Sequence, residues 1–211
     1  MNREKRVRSR SLRAVGWIAA VACTLGAACK PVSGTAVPVE EAPNQADLTL
    51  TLISSVSATS YLQPSSTIDF TFTPEVNLLE LTDLDLRGSD LHFDFGSLLV
   101  VDVRDVRVRR TPEGSAIVGS VDADTGLVSV LAPVEVGGSV YLNGSLVFQA
   151  GQSAAAPLTG TFRYDPASGE ATLSDFAGDV PPTLVPIGPF TLVVTGALTF
   201  NFAATIPPLS G

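Results

Sequence analysis

The sequence predicts an all-β protein, a single antiparallel β-sandwich or barrel-like sheet behind an N-terminal export segment. Three observations carry this. Near the end, Phe190, Leu192, Val194, Gly196, Leu198, Phe200, Phe202, Ala204 and Ile206 all fall on even positions, with Thr191, Thr195, Thr199, Asn201 and Thr205 between them. Such a period of two marks a strand with one face on a core and the other on water. From residue 115 onward the chain has one cation, Arg163, and seven acids, and is built from Val, Leu, Ala, Gly, Ser, Thr and Pro. That composition suits sheets and turns. Finally, no apolar stripe of helical period follows the first thirty residues.

In chain order, residues 2–13 carry six basic groups against one acid, and residues 14–28 carry no charge. A basic region, a short apolar run and small residues before a cut describe an export signal. The uncharged run is fifteen residues long, short of the roughly 20 needed to span a bilayer. Residues 1–28 are therefore read as a signal peptide, 29–46 as a flexible tether without apolar period, and 47–211 as the β-domain. Arg6, Arg8 and Arg10 alternate rather than adjoin, which argues against twin-arginine export.

The stretch Leu25-Gly26-Ala27-Ala28-Cys29 resembles the end of a bacterial lipoprotein signal, in which small residues lead directly to an acceptor cysteine. Leu25 stands one place further upstream than in that family's pattern, leaving Gly26 where a larger aliphatic residue is usual. Cys23, after Ala20-Val21-Ala22, is a rival acceptor, but it would leave an apolar start, Thr24-Leu25-Gly26-Ala27-Ala28, where a solvated tether belongs. Beyond Cys29, the stretch Lys30-Pro31-Val32-Ser33-Gly34-Thr35-Ala36 is similar to the tethers of exported actinobacterial lipoproteins. The resemblance implies acylation at Cys29 and an extracytoplasmic place in the cell envelope, held to the membrane by lipid. Ordinary signal-peptidase cleavage and secretion is the alternative. The resemblance covers only about the first forty residues.

Inside the domain, Ile68, Phe70 and Phe72 alternate with Thr67, Asp69, Thr71 and Thr73, and Leu91, Phe93 and Phe95 with Asp90, His92 and Asp94. Val101 and Val103 are odd whereas Val106 and Val108 are even, so a β-bulge is expected near Arg104-Asp105. Val140, Leu142, Gly144, Leu146 and Phe148 read as one face of a further strand. Residues 190–206 would extend about 56 Å as a single strand, which calls for a bend at Gly196 or a long tilted barrel strand. An internal repeat is also visible. Ile117-Val118-Gly119-Ser120-Val121 with Asp124-Thr125-Gly126 matches Leu158-Thr159-Gly160-Thr161-Phe162 with Ala167-Ser168-Gly169, and Gly144-Ser145-Leu146-Val147-Phe148 matches Gly196-Ala197-Leu198-Thr199-Phe200. The copies differ by insertions, chiefly the proline-rich loop expected at 180–189.

The chemistry available is narrow. Both cysteines, Cys23 and Cys29, precede the domain, which therefore has no disulfide or thiol and must be held by its core. Without residues 1–28, seven Lys/Arg face twenty Asp/Glu, a formal charge of −13. This argues against nucleic acid and against electrostatic docking on anionic lipid. Asp122-Ala123-Asp124-Thr125-Gly126 has the spacing of the start of a calcium loop, but no downstream acid completes it, and a turn explains it. Asp165-Pro166-Ala167-Ser168-Gly169-Glu170 follows the same logic. Asp83, Asp85, Asp90, Asp94 and Asp102 are candidates for paired catalytic carboxylates, or else a solvated sheet face pairing with Arg104, Arg107, Arg109 and Arg110. His92 stands alone, so no common zinc or copper set can be assembled, and no Gly-x-Ser-x-Gly elbow presents a serine to it. Beyond Lys30 the chain has no lysine and no phosphate-cradling glycine loop.

No catalytic, cofactor-binding or metal-binding residue is therefore assigned, no cofactor is expected, and Cys29 is the one modification site. The expected function is that of a non-enzymatic, lipid-anchored envelope domain acting as a binding or structural module toward another envelope protein. The alternative is a carrier of lipid or another apolar small molecule, and a carboxylate-based hydrolase comes third. An outer-membrane barrel is disfavoured, because the domain has three Tyr and no Trp to form aromatic girdles.

Overall fold

The computed structural model describes residues 30–52, 54–96, 99–111, 116–187 and 190–206. The expected signal peptide, residues 1–28 with Cys23, and the expected acceptor Cys29 lie outside them. Twelve strands form one antiparallel sheet, and no α-helix occurs among the described residues. They are β1 (Val32–Pro38), β2 (Gln45–Thr51), β3 (Ser55–Tyr61), β4 (Thr67–Thr73), β5 (Leu78–Arg87), β6 (Leu91–Asp94), β7 (Val100–Arg110), β8 (Ile117–Ser120), β9 (Leu127–Leu142), β10 (Ser145–Asp165), β11 (Glu170–Ile187) and β12 (Phe190–Thr205), with a 3-10 turn at Pro74–Val76. The hydrogen-bonded order is β1-β4-β5-β7-β9-β10-β11-β12-β2-β3, with β6 on β7 and β8 on β5. β1 also pairs with β12, Val37 opposite Ala203 and Pro38 opposite Phe202. The ladder from β1 to β12 thus meets at its two ends, while β2 and β3 branch from β12 and leave β3 as an edge strand.

Two apolar clusters fill the interior. The larger joins β4, β5, β8 and the adjoining parts of β9 to β12, with Phe70, Phe162, Phe176, Phe200 and Phe202 essentially inaccessible. Phe200 stacks on Phe176 at 5.5 Å between ring centroids and meets Phe202 edge-on at 5.6 Å. Such pairs add to the burial of the rings themselves. The smaller cluster gathers Leu48, Leu50, Leu91, Phe93, Val140 and Leu192.

The period-two reading of the last strand holds toward its ends, whereas from Val193 to Gly196 both faces are half-buried and Asn201, on the polar face, is buried. Leu192, Phe200, Phe202, Ala204 and Ile206 are buried, while Val194, Gly196 and Leu198 between them are half-buried. Its length is resolved by a change of partner. One edge of β12 lies on β11 throughout, and the other pairs with β2 from Val193 to Thr199 and with β1 at Phe202 and Ala203. A Cβ at Gly196 would stand 2.3 Å from the Asp47 carbonyl oxygen, so this glycine lets β2 approach. The bulge at Arg104-Asp105 is present: the β7–β9 register shifts between Arg104 and Arg107, and Asp105 has φ +55°.

Several expectations need correction. Residues 32–38 are not tether but β1, with Val32 and Ala36 buried. The small, alternating Val32, Gly34 and Ala36 pack where large side chains would not fit, since a Cβ at Gly34 would already lie 3.2 Å from Ile206. Gln45 and Ala46 belong to β2, so the β-domain begins well before residue 47. The strand read across 140–148 is a hairpin: β9 ends at Leu142, Asn143 and Gly144 turn with φ +46° and +82°, and Leu146 is exposed. An Asn-Gly pair between alternating stretches is a strong signal for such a turn, and it outweighs the apparent continuity of phase. The loop expected at 180–189 is strand through Ile187.

The internal repeat survives in its first part only. Ile117–Ser120 and the Leu158 to Phe162 stretch each lead into a turn whose glycine, Gly126 or Gly169, has φ near +75°. The second part pairs a hairpin turn with mid-strand residues of β12, and the likeness ends there.

Candidate functional site: an apolar cavity behind an unpaired seam

β9 pairs with β10 along its whole length, from Leu127 opposite Thr161 to Leu142 opposite Ser145, and β11 keeps β12 along its whole length. Between β10 and β11 the ladder runs only from Asp165/Glu170 to Thr159/Ala177. Beyond that point, among the described residues, the first half of β10 and the second half of β11 share no pairing. Prolines account for the break. Pro157 on β10 has no N–H to offer, and Pro181-Pro182 occupy the bulge between Val180 and Thr183 on β11. Proline in a sheet is tolerated at an edge or a bulge, and here it creates an edge on both sides of the seam. At the fork the backbones come close: a Cβ at Gly178 would meet the Pro157 carbonyl oxygen at 2.6 Å.

Behind the seam lies a cavity of about 240 Å³ between the two apolar clusters. Leu84, Val134, Leu158 and Phe200 line it on the side of the larger cluster, and Leu48, Val140, Val185 and Leu192 on the other. The half-buried Val194 and Leu198 of β12 also face it, which explains why the middle of that strand is less covered than its ends. Asp179 is the single ionisable residue among the lining residues, and it sits on β11 at the seam with Thr183 and the exposed Leu184.

The residues singled out for chemistry are placed elsewhere and kept apart. Asp122 Oδ1 accepts hydrogen bonds from the Asp124 and Thr125 amides at 3.1 and 2.8 Å and from the Thr125 hydroxyl at 2.8 Å. These bonds, that of the Thr125 amide first, hold its carboxyl below the usual carboxylate range. Asp165 accepts from the Ala167 amide at 2.9 Å and the Ser168 hydroxyl at 2.8 Å, with the same effect. Both are side-chain-braced turns, and both border one depression at that end of the molecule. No group of three or more potential metal-binding side chains occurs among the described residues.

The five acids of the middle segment have five different engagements. Asp85 binds Arg107 and Arg87, Asp102 binds His92 and Arg104, and Asp83, Asp90 and Asp94 accept from the amides of Leu84, Asp105 and Gly96. The cross-strand Arg–acid pairing read from the sequence is present for Arg107 with Asp85, whereas Arg104 pairs with Asp102 on its own strand and Arg109 lies 3.9 Å from Glu135 of β9. His92 Nδ1 lies 2.7 Å from Asp102 Oδ1 on an exposed face, where the Arg104 guanidinium also covers the Tyr141 ring at 4.5 Å.

The sequence reading missed the cavity and Asp179. Their signal lies in Pro157 and Pro181-Pro182, which fall on neighbouring strands, the latter pair within the stretch expected as a loop. No family model matches this chain, and no curated protein matches it in sequence.

Proposed function

We propose that the domain is a carrier of an apolar small molecule, held in the cell envelope by an acyl anchor at Cys29. The observation behind this reading is the cavity between the two clusters, walled by aliphatic side chains and reached through a seam that proline keeps unpaired. Apolar walls favour a ligand through the same removal of surface from water that builds a core, about 25 cal/mol for each Å² buried. The exposed Leu184 at the seam offers the entering molecule an apolar step. A second reading, contact with another envelope protein, draws support from the exposed Leu127, Leu131 and Leu146 on β9 and β10, but these surfaces have no enclosed form.

The test uses the full chain with Cys29→Ser, prepared without detergent, in a titration with the neutral probe N-phenyl-1-naphthylamine. Saturable fluorescence enhancement is expected. Val194→Trp, which places an indole in the cavity, should weaken it at least tenfold with little change in the thermal midpoint. An absence of saturable binding, or equal binding by the variant, would overturn the carrier reading.

A further inference from the structure

We infer that the ligand is an amphiphile whose head donates hydrogen bonds, an alcohol or an amine, and that fatty-acid carboxylates are rejected. This rests on the carrier reading above and narrows it. The cavity of about 240 Å³ is lined almost entirely by apolar side chains and takes the hydrocarbon part of such a molecule.

The head group is then left at the seam, where the exposed Asp179 is the single ionisable side chain among the described residues lining the cavity. No Lys or Arg is among the described residues that line the cavity. The arginines of β7 are engaged elsewhere, Arg107 with Asp85, Arg104 with Asp102 and Tyr141, Arg109 with Glu135 and Arg110 with the Thr82 carbonyl. A carboxylate brought to the seam would stand beside the like charge of the exposed Asp179, with no cation among the described lining residues to pair it. The domain's charge of −13 from residue 29 onward adds long-range repulsion. A hydroxyl or ammonium instead finds an acceptor in Asp179, and the ammonium gains attraction as well.

The experiment is competition for bound N-phenyl-1-naphthylamine at neutral pH, on the full chain with Cys29→Ser, by 1-decanol, decylamine and decanoate. Decanol and decylamine should displace the probe at concentrations at least tenfold below decanoate. Asp179→Asn should shrink the gap between decylamine and decanoate, and Asp179→Lys should reverse their order. Equal potency of decanoate, or a ranking unmoved by either substitution, overturns the head-group assignment while leaving the carrier reading intact. Failure of the probe itself to bind overturns both.

Discussion

Asp85 on β5 accepts two hydrogen bonds from Arg107 on β7, Nε to Oδ1 at 2.5 Å and Nη2 to Oδ2 at 2.6 Å. The Asp85 side chain keeps 17% of its accessibility and the Arg107 side chain 38%. The two-pronged geometry fixes both planes across the β5–β7 pairing, where Asp85 lies opposite Arg109 and Arg107 opposite Arg87. The Arg107 hydrogen bonds, outweighing a smaller opposing effect of burial and helped by Arg87, hold the Asp85 carboxyl below its ordinary value.

That shift has a definite sign. A carboxyl with a depressed folded-state pKa contributes stability that is fully present above about pH 4 and is lost as pH falls through the folded value. Asp85→Asn should therefore lower the urea midpoint at pH 7, and the gap from wild type should narrow as the solution is acidified below pH 4. Parallel curves for the two proteins across the acid range would show that the pair does not couple to folding.

Phe200 carries the clearest packing prediction. It is fully buried between Phe176 and Phe202, yet part of its ring also borders the cavity. Phe200→Ala should cost about 3–5 kcal/mol in urea melts, through lost burial and an enlarged void. Thr199→Ala, next to it on the half-exposed face, should stay within about 0.5 kcal/mol. Similar losses at both positions would contradict the two-faced reading of β12.

The turn at Asp122 yields a metal test. Its carboxylate is already occupied by Asp124 and Thr125 donors, so adding EDTA or calcium should leave the thermal midpoint where it was. Asp122→Ala should lower that midpoint, because three donors lose their acceptor. A midpoint that rises with calcium in wild type alone would reverse the assignment.

For the anchor, Cys29→Ser is expected to move the full-length protein from the detergent phase to the aqueous phase in a Triton X-114 partition, whereas Cys23→Ser should not. Mass spectrometry of the N-terminal peptide should place the acyl groups on Cys29. An acylated Cys23, or partitioning indifferent to Cys29, would remove the anchor from the proposal.

What the sequence made legible followed from strict local rules. Alternation in β4, β6 and β12 is a direct image of which side chains meet the core, and the phase slip at Arg104-Asp105 is a direct image of the bulge. Where the chain was misread, the deciding interaction was distant. Val32, Gly34 and Ala36 have little apolar bulk of their own, and their place in β1 depends on Phe70 and Phe72 across the pairing and on Ile206 beyond. Asn143-Gly144 is a local signal masked by a coincidence of phase: the two-residue turn puts Leu142 opposite Ser145 and leaves Leu146 exposed, and the register shift after Leu146 then brings Phe148 opposite Val140. The cavity was illegible for a different reason: Pro157 and Pro181-Pro182 gain their meaning only when β10 and β11 lie side by side, and the void is a property of the space between elements.

The pairing of β1 with β12 joins the earliest described strand to the latest, and it governs how the molecule can be made. A chain delivered N-terminus first, from a ribosome or through a membrane channel, has to hold β1 and β4 in waiting until residues near 200 arrive. Contacts so remote in sequence are slow to form, on the order of milliseconds to seconds for sheet-rich domains. During that interval apolar strand edges are exposed to other copies. Escape from aggregation before closure, as well as stability afterwards, therefore bears on how much of this protein a cell obtains.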